Sequence, residues 1–499
     1  MKKISLLTVI LIISLVLSGC GKAPNASPND YTDGAGGYVD NSEAKAPSLV
    51  TEETYTQIEE NGLKSTAEYP TAAFSLKVDT AAYSNIARII RSGQTPPADA
   101  VRTEEMINYF KYEGKTEKID GPFAASAEIG PSVFDPARHI AFIRVKTDEI
   151  EKKDLPPSNL TFLIDTSGSM FSYDKLPLLK SAFALLVENL GERDTVSIVA
   201  YAGHSGILLD SASGDQKSKI LDVINSLEAG GSTGGEEGIQ AAYSLAKRNY
   251  LKKGNNRVIL ATDGDFNVGI SDTERLKSFI SEKRDSGIYL SVLGFGTGNL
   301  RDDMMETLSA NGNGNYAYID SVATAKKVLI DEMGANMFTV ADDVKAQLAF
   351  NPETVKRYRL IGYENRVMSE EDFRDERKDA GELGAGSDVV LMVELEMADG
   401  VKKTDELFTL NLAYKDPGES QSKTIAWPVN GSAVAAKNST DFHFATSVAA
   451  FGHLLRNSEY TGTAKFGTVL QLATDNIGAD PDGCRHEYIE LLNSWRARK

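Results

Sequence analysis

The stretch 159-NLTFLIDTSGSM-170 begins as an apolar run and ends in an acid, two serines and a glycine. An apolar run of this length is typical of a buried strand. In an open sheet of parallel strands covered by helices, ligands bind outside the carboxyl ends of the strands. Asp165 stands at such an end. The segment therefore predicts both a central strand and a ligand site at its end.

The chain that follows alternates short β-type runs with amphipathic helical runs as far as residue 333. Residues 174–191 place five large apolar residues on one helical face, namely Leu176, Leu179, Phe183, Leu186 and Leu190. Further strands are predicted in "DTVSIVAY", "NRVILATDG", "IYLSVLGFG" and "NYAYI", and residues 321–333 form the predicted last helix. This alternation predicts an α/β fold with a doubly wound, Rossmann-like parallel sheet.

The two flanks of this α/β region have a different pattern. Residues 122–147 and 338–430 alternate polar and apolar side chains at period two, which is typical of half-buried strands. We therefore predict one antiparallel β module built from both flanks, with helices over residues 72–112 and 441–498. The predicted domains are an N-terminal flanking region, the α/β domain and a C-terminal flanking region, over 71–157, 158–335 and 336–499.

The first twenty residues, MKKISLLTVILIISLVLSGC, have the composition of a secretion signal. The last four resemble the lipobox of bacterial lipoproteins, which implies a signal peptide over 1–20 and lipidation of Cys20. Ordinary secretion with an incidental cysteine is the alternative. Residues 21–50 contain little that could be buried, so a disordered tether is predicted over 21–70. The expected location is the cell envelope, on the outer membrane or on the outer face of the cytoplasmic membrane according to the host.

The net charge and the cysteine content argue against a nucleic-acid partner and against an intrachain disulfide. The formal net charge is −18 and no basic run occurs, which argues against nucleic acid because a phosphate backbone needs a basic surface. Cys484 is the only cysteine besides Cys20, so lipidation leaves no pair for an intrachain disulfide. No later segment reaches ~18 uninterrupted apolar residues, so the lipid is the expected membrane attachment.

Oxygen-bearing side chains follow the predicted strands and one loop. They are Asp165, Ser167 and Ser169 after the first strand, Asp263 after "VILAT", and Thr233 in a glycine-rich loop before a helix. Such a set suits a hard cation such as Mg²⁺, with Mn²⁺ or Ca²⁺ as alternatives. Two carboxylates balance a dication, and five side chains leave at least one octahedral position for an outside ligand.

The segment Asp165-Thr166-Ser167-Gly168-Ser169, with Thr233 and Asp263 downstream, resembles the metal-ion-dependent adhesion site of von Willebrand factor A domains. The stretches "FSLKVDTAAYSNIARIIRSGQTPPADAVRTEEMINYF" and "ATDGDFNVG" are similar to bacterial lipoproteins that carry an A domain between two family-specific flanks. This resemblance implies that the five residues bind the metal and that a protein partner supplies an Asp or Glu carboxylate.

Three functions are compatible with the sequence. The leading one is a membrane-anchored, metal-dependent protein-binding module of the bacterial envelope, and the second is an assembly or regulatory factor that uses the same site. The third is a Mg²⁺-dependent phosphatase of the haloacid-dehalogenase type. That chemistry needs a second acid two residues after the nucleophile, and Ser167 occupies this position. We therefore predict no catalytic residue and do not expect an enzyme.

Overall fold

The apolar run that ends at Asp165 forms the centre of a parallel sheet in the computed structural model, in which both β6 (Ser158–Asp165) and β9 (Asn255–Thr262) are buried at every position. The described residues are 52–77, 79–202, 206–231, 235–264 and 273–497. Cys20 and Thr233, together with most of the predicted tether, lie outside them.

The other strands are short to medium in length. They are β1 (Lys64–Ser65), β2 (Thr71–Ser75), β3 (Glu117–Asp120), β4 (Phe123–Pro131), β5 (His139–Thr147), β7 (Thr195–Tyr201), β8 (Gly206–Ser213), β10 (Tyr289–Phe295), β11 (Tyr316–Ile319), β12 (Thr339–Phe350), β13 (Val355–Ile361), β14 (Val367–Met368), β15 (Leu383–Gly384), β16 (Asp388–Met397), β17 (Glu406–Lys415) and β18 (Ser422–Asn430).

The α-helices range from a single turn to almost five turns. They are α1 (Ala81–Arg91), α2 (Thr103–Asn108), α3 (Leu176–Glu188), α4 (Lys217–Ser226), α5 (Gly235–Arg248), α6 (Thr273–Asp285), α7 (Asp302–Asn311), α8 (Val322–Lys326), α9 (Met333–Met337), α10 (Glu370–Arg374), α11 (Thr440–Arg456), α12 (Phe466–Asp475) and α13 (Cys484–Arg496).

The central sheet has the order β11-β10-β9-β6-β7-β8. All neighbouring strands are parallel except β8, which pairs antiparallel with β7 at one edge. The chain runs from β6 to β7 on one side, and β9 later joins β6 on the other. The carboxyl ends of β6 and β9 therefore flank the point where strand order reverses, which is where open α/β sheets bind ligands. The predicted doubly wound sheet is confirmed, whereas β8 was not predicted.

The predicted apolar face of helix α3 packs against the central sheet. Four of its five predicted apolar positions lie within the helix and the fifth lies just beyond it, and all five side chains are buried. The ring of Phe183 stacks on that of Phe162 in β6, with centroids 4.4 Å apart. Burying a side chain of this size contributes ~1.5–3 kcal/mol, so this face fixes α3 against the sheet.

Two antiparallel sheets form the predicted β module. Their strand orders are β1-β13-β16-β5-β4-β3 and β14-β2-β12-β17-β18, with β15 paired to β12. Each sheet combines strands from both flanks, since β5 pairs with β16 and β2 pairs with β12. Their apolar side chains share one buried cluster that includes Phe74, Ile143 and Leu410. The flanking antiparallel module is confirmed, as are terminal helices.

The structure corrects the predicted tether over residues 52–70. Strand β1 pairs with β13, and Glu53 forms an ion pair with Arg88 at 3.0 Å. The backbone N–H of Thr54 donates to the carbonyl of Leu300 at 3.0 Å. Specific partners on the folded part of the chain therefore hold these residues, although their composition alone indicated a linker.

The last helix of the α/β domain also differs from its prediction. Residues 321–333 form α8 followed by a π-helix (Lys327–Asp331), after which α9 begins at Met333. The N–H of Glu332 donates to the carbonyl of Lys327, and their side chains form an ion pair at 2.6 Å. Hydrogen bonds over five residues define a π-helix. The buried Lys327 ammonium also lies 4.8 Å from the ring centroid of Tyr109, a contact that apolar periodicity does not reveal.

Two findings concern the membrane and the cysteines. Among the described residues, none of the helices combines the length and the apolar character that crossing a bilayer requires. Cys484 is a buried free thiol at the start of α13.

Candidate metal centre

Asp165 is the last residue of β6 and is fully buried. Its Oδ1 accepts a hydrogen bond from the backbone N–H of Ser167 at 2.9 Å. Its Oδ2 accepts hydrogen bonds from the hydroxyls of Tyr201 at 2.9 Å and Thr262 at 3.0 Å. These donors come from the ends of the strands on either side of β6. The carboxylate is therefore held in one orientation by three elements.

The two serines continue directly from this carboxylate. Ser167 is buried and precedes a short 3₁₀ turn (Gly168–Phe171), and Ser169 lies exposed within that turn. Their hydroxyl oxygens are 2.9 Å apart. The spacing of two residues therefore brings both hydroxyls together beside Asp165, with one of them facing solvent.

Asp263 follows β9 and is also fully buried. The ammonium of Lys175, the residue before α3, donates to its Oδ2 at 2.8 Å and to Oδ1 of Asn299 at 2.9 Å. The methylene stem of Lys175 lies against Gly296, where a Cβ would come within 2.3 Å of it. Gly296 has a φ of +74°, so both backbone conformation and space favour glycine there.

The two carboxylates have opposite pKa shifts. Burial raises the pKa of Asp165, and the nearby charge of Asp263 adds to the rise, although hydrogen bonds from Ser167 and Tyr201 oppose it. Burial also acts to raise the pKa of Asp263, but hydrogen bonds from Lys175 and Ser169 outweigh it and hold that pKa below its usual range. Two buried acids and one buried ammonium leave a net negative charge, which favours a cation.

The structure thus brings together Asp165, Ser167, Ser169 and Asp263 at one edge of the sheet. Thr233 lies outside the described residues, so its role as a ligand stays a prediction. The described start of its loop does approach the site, because the N–H of Gly230 donates to the carbonyl of Thr166 at 2.8 Å.

Sequence reasoning missed three residues of this site, although each left a signal. Tyr201 ends β7 in register with Asp165, and Thr262 immediately precedes Asp263. Lys175 stands at the N-cap of α3, where the helix dipole disfavours a positive charge. A polar residue at a neighbouring strand end and a misplaced cation are both recognisable in sequence.

A doubly wound sheet with acids and hydroxyls at its switch point defines the class of von Willebrand factor type A domains. The model of the von Willebrand factor type A domain matches residues 159–331. Residues 49–141 match a von Willebrand factor model, and residues 335–497 match the C-terminal model of the protein YfbK. In related proteins this domain is a protein-interaction module, and it typically binds a divalent metal at such a site.

The chain belongs to the family of YfbK from Escherichia coli. The two are 41% identical over 476 residues, which covers 90% of this chain and 82% of YfbK. The chain is also 25% identical to human inter-alpha-trypsin inhibitor heavy chain H3 over 266 residues, or 30% of that protein. A von Willebrand factor type A structure from Catenulispora acidiphila covers 77% of this chain and 91% of its own, with 15% identity and a TM-score of 0.43.

Proposed function

We propose that this protein is a metal-dependent protein-binding module of the bacterial envelope, whose A-domain site captures a carboxylate of its partner. The observation that carries the proposal is the convergence of two buried carboxylates and two hydroxyls at the switch point of the sheet. The proposal assigns binding to this site and no catalytic step.

The donor chemistry fits Mg²⁺. Asp165, Ser167, Ser169 and Asp263 offer only oxygens, the ligands that hard cations prefer. Adjacent oxygens around Mg²⁺ at 2.0–2.1 Å are ~2.9 Å apart, and the two serine hydroxyls are separated by 2.9 Å. A bound Mg²⁺ would supply a Lewis-acid position for an outside oxygen. The main chain and Tyr201 hold Asp165 for this role, whereas Lys175 neutralises part of the charge of Asp263.

Exposed aromatic side chains beside the site support a protein ligand. Phe171 ends the turn that carries Ser169, and Tyr173 follows two residues later; their side chains are 82% and 86% exposed. Large aromatic residues often provide most of the energy of protein interfaces. Both rings lie within four residues of Ser169, so we expect a partner whose Asp or Glu enters the metal site to use them as anchors of the interface.

Affinity capture tests the binding proposal. The full chain is used as bait with detergent-solubilised envelopes, in Mg²⁺ and in chelator, and Asp165→Ala is compared with wild type. We expect the same partners to be retained in Mg²⁺ by wild type and lost with chelator or with Asp165→Ala. Phe171→Ala should weaken capture while leaving Mg²⁺ binding unchanged. Partners that bind equally well in chelator would contradict the proposal.

We also propose that a lipid on Cys20 anchors the protein to the membrane. The support is the lipobox-like segment Leu17-Ser18-Gly19-Cys20, which lies outside the described residues. Cys20→Ser should move the protein from the membrane pellet to the soluble fraction, as measured by fractionation and immunoblotting. Full retention of that variant in the pellet would refute the anchor.

A further inference from the structure

A second group of acids lies where the α/β domain meets the β module. Asp342 and Asp343 belong to β12, and Asp379 and Glu382 lie in the segment before β15. One carboxylate oxygen each from Asp343, Asp379 and Glu382 lies within 4.8 Å of the other two. None of these residues belongs to the A-domain site. This cluster is therefore separate from the A-domain site, because its carboxylates come from other segments of the chain than those of Asp165 and Asp263.

Two buried oxygens at this junction accept no hydrogen bond from the described part of the chain. They are Oε1 of Glu382 and Oδ1 of Asp342. The Glu382 residue is only 8% exposed, and its carboxylate belongs to the group of three within 4.8 Å. A buried oxygen left without a partner costs ~1–3 kcal/mol, and more when it is charged. An unpartnered buried oxygen, on a side chain whose carboxylate lies beside two others, indicates a ligand that is a cation.

The neighbouring cationic side chains form ion pairs with only two of the four acids. Lys415 contacts Asp343, and Arg284 of α6 contacts Asp379. Lys345 donates to the main-chain carbonyls of Asp372 and Asp375, and Lys77 donates to that of Gly314, so the hydrogen bonds of both ammonium groups are directed elsewhere. Within the described part of the chain, neither Asp342 nor Glu382 forms an ion pair with a cationic side chain, although the charge of Lys77 acts on Glu382 from farther away.

Asp343 and Asp379 show the strain of this arrangement most directly, because their carboxyl groups contact each other as hydrogen-bond partners. Two ionised carboxylates repel at such a distance unless a proton or a cation lies between them. A cation between the two carboxylates would relieve this repulsion.

We propose that Asp343, Asp379 and Glu382 bind a Ca²⁺ ion that joins the segment before β15 to β12. Calcium accepts six to eight oxygens, from carboxylates and from water, in a flexible geometry. This suits a cluster in which Glu382 is buried and Asp379 is exposed better than the near-ideal octahedron that Mg²⁺ demands. Because Arg284 contacts Asp379 from α6, the ion would also stiffen the junction between the A domain and the β module.

Calorimetric titration of the full chain with Ca²⁺ tests the proposal. Asp165→Ala serves as the background, so that the A-domain site does not contribute. Titrating to about 5 mM covers the weak range of ~10⁻⁴–10⁻³ M that is typical of extracellular calcium modules. We expect one bound Ca²⁺ per chain in this background, accompanied by an increase in melting temperature.

Two variants in the same background decide the outcome. Glu382→Gln keeps the size of the side chain and removes its charge, and Asp379→Asn does the same at the second ligand. Each should reduce Ca²⁺ affinity at least tenfold and abolish the thermal shift, whereas Glu376→Gln, in the same segment but exposed, should change neither. The proposal is overturned if the background binds no Ca²⁺, or if both ligand variants bind it as the background does. Because every protein in this comparison lacks Asp165, failure here leaves the proposed A-domain function untouched.

Discussion

Lys175→Met is the substitution that best separates the charge balance of the A-domain site from its geometry. Methionine can retain the packing of the stem against Gly296 but removes the ammonium that Asp263 contacts at 2.8 Å. The side chains of Lys175 and Asp263 are 7% and 0% exposed, so solvent does little to screen this ion pair. The variant therefore leaves the Asp263 carboxylate buried beside Asp165 without its ammonium.

The expected loss in the free energy of unfolding follows from this burial. Removing one partner of a buried ion pair costs roughly 3–5 kcal/mol, and we expect about 3 kcal/mol because Ser169 also donates to Asp263. Mg²⁺ should offset most of this loss, since a ligand at about 100 times its Kd adds about 2.7 kcal/mol to the free energy of unfolding. Metal binding should also tighten in the variant, because the ammonium no longer repels the incoming cation.

Denaturant unfolding in chelator and in Mg²⁺ measures both effects. Lys118→Met is the matched control, because Lys118 pairs with Asp148 at 2.6 Å but both side chains are more than half exposed. An exposed pair contributes only ~0–1 kcal/mol, so this variant should resemble wild type in both media. The reasoning fails if Lys175→Met is as stable as wild type in chelator, or if Mg²⁺ stabilises the two proteins equally.

Two further predictions concern a buried histidine and the packing behind the A-domain site. His453 in α11 is buried, and burial together with Arg359 and Arg456 lowers its pKa to about 3. The unfolded chain therefore binds more protons between pH 6.5 and 3, and stability falls on acidification through this window by about 1.4 kcal/mol per pH unit. Between pH 6.5 and 4.5, unfolding titrations of His453→Leu should lose about 2–3 kcal/mol less than wild type; an identical loss would place the pH dependence elsewhere. Gly238→Ala in α5 puts a Cβ 2.7 Å from that of Tyr201, and should cost about 1–3 kcal/mol and weaken Mg²⁺ binding, because Tyr201 holds Asp165. Gly467→Ala in α12, where a Cβ has open space, should instead stabilise by about 0.5 kcal/mol, and equal melting temperatures for the two glycine variants would contradict the packing argument.

The sequence was sufficient for the strands and helices whose apolar residues form an unbroken run or a regular period. The apolar runs of β6 and β9 are buried on both faces, so their pattern is uninterrupted and their ends are easy to locate. Since parallel strands end at the same edge of the sheet, locating these two strand ends also placed Asp165 and Asp263 together. The exposed edge strand β8 was missed because most of its side chains face solvent. Strand β2 was missed because it directly precedes the helical pattern of α1, so helices were predicted from residue 72 onward.

The acids at the junction were beyond sequence reasoning for a different reason. Asp343 is separated from Asp379 and Glu382 by more than thirty residues, and only the pairing of β12 with β15 brings the two segments together. No spacing rule connects them. Their contact depends on the register of strands from the β module, and that register follows from the packing of the whole core.

Lys175 is intermediate between the elements that the sequence predicts and the contacts that it does not. Its unfavourable position at the start of a helix is visible in the sequence, but its partner is not. A cation at the N-cap of a helix opposes the helix dipole, at a cost of ~0.3–1 kcal/mol, and this side chain is also buried. A residue that breaks a local rule is expected to be compensated elsewhere, most often at a functional site. Here the compensation is the ion pair with Asp263, which is stronger than the unfavourable dipole term because both groups are shielded from water. The position of Lys175 is therefore explained by the acid it contacts and not by the helix it begins.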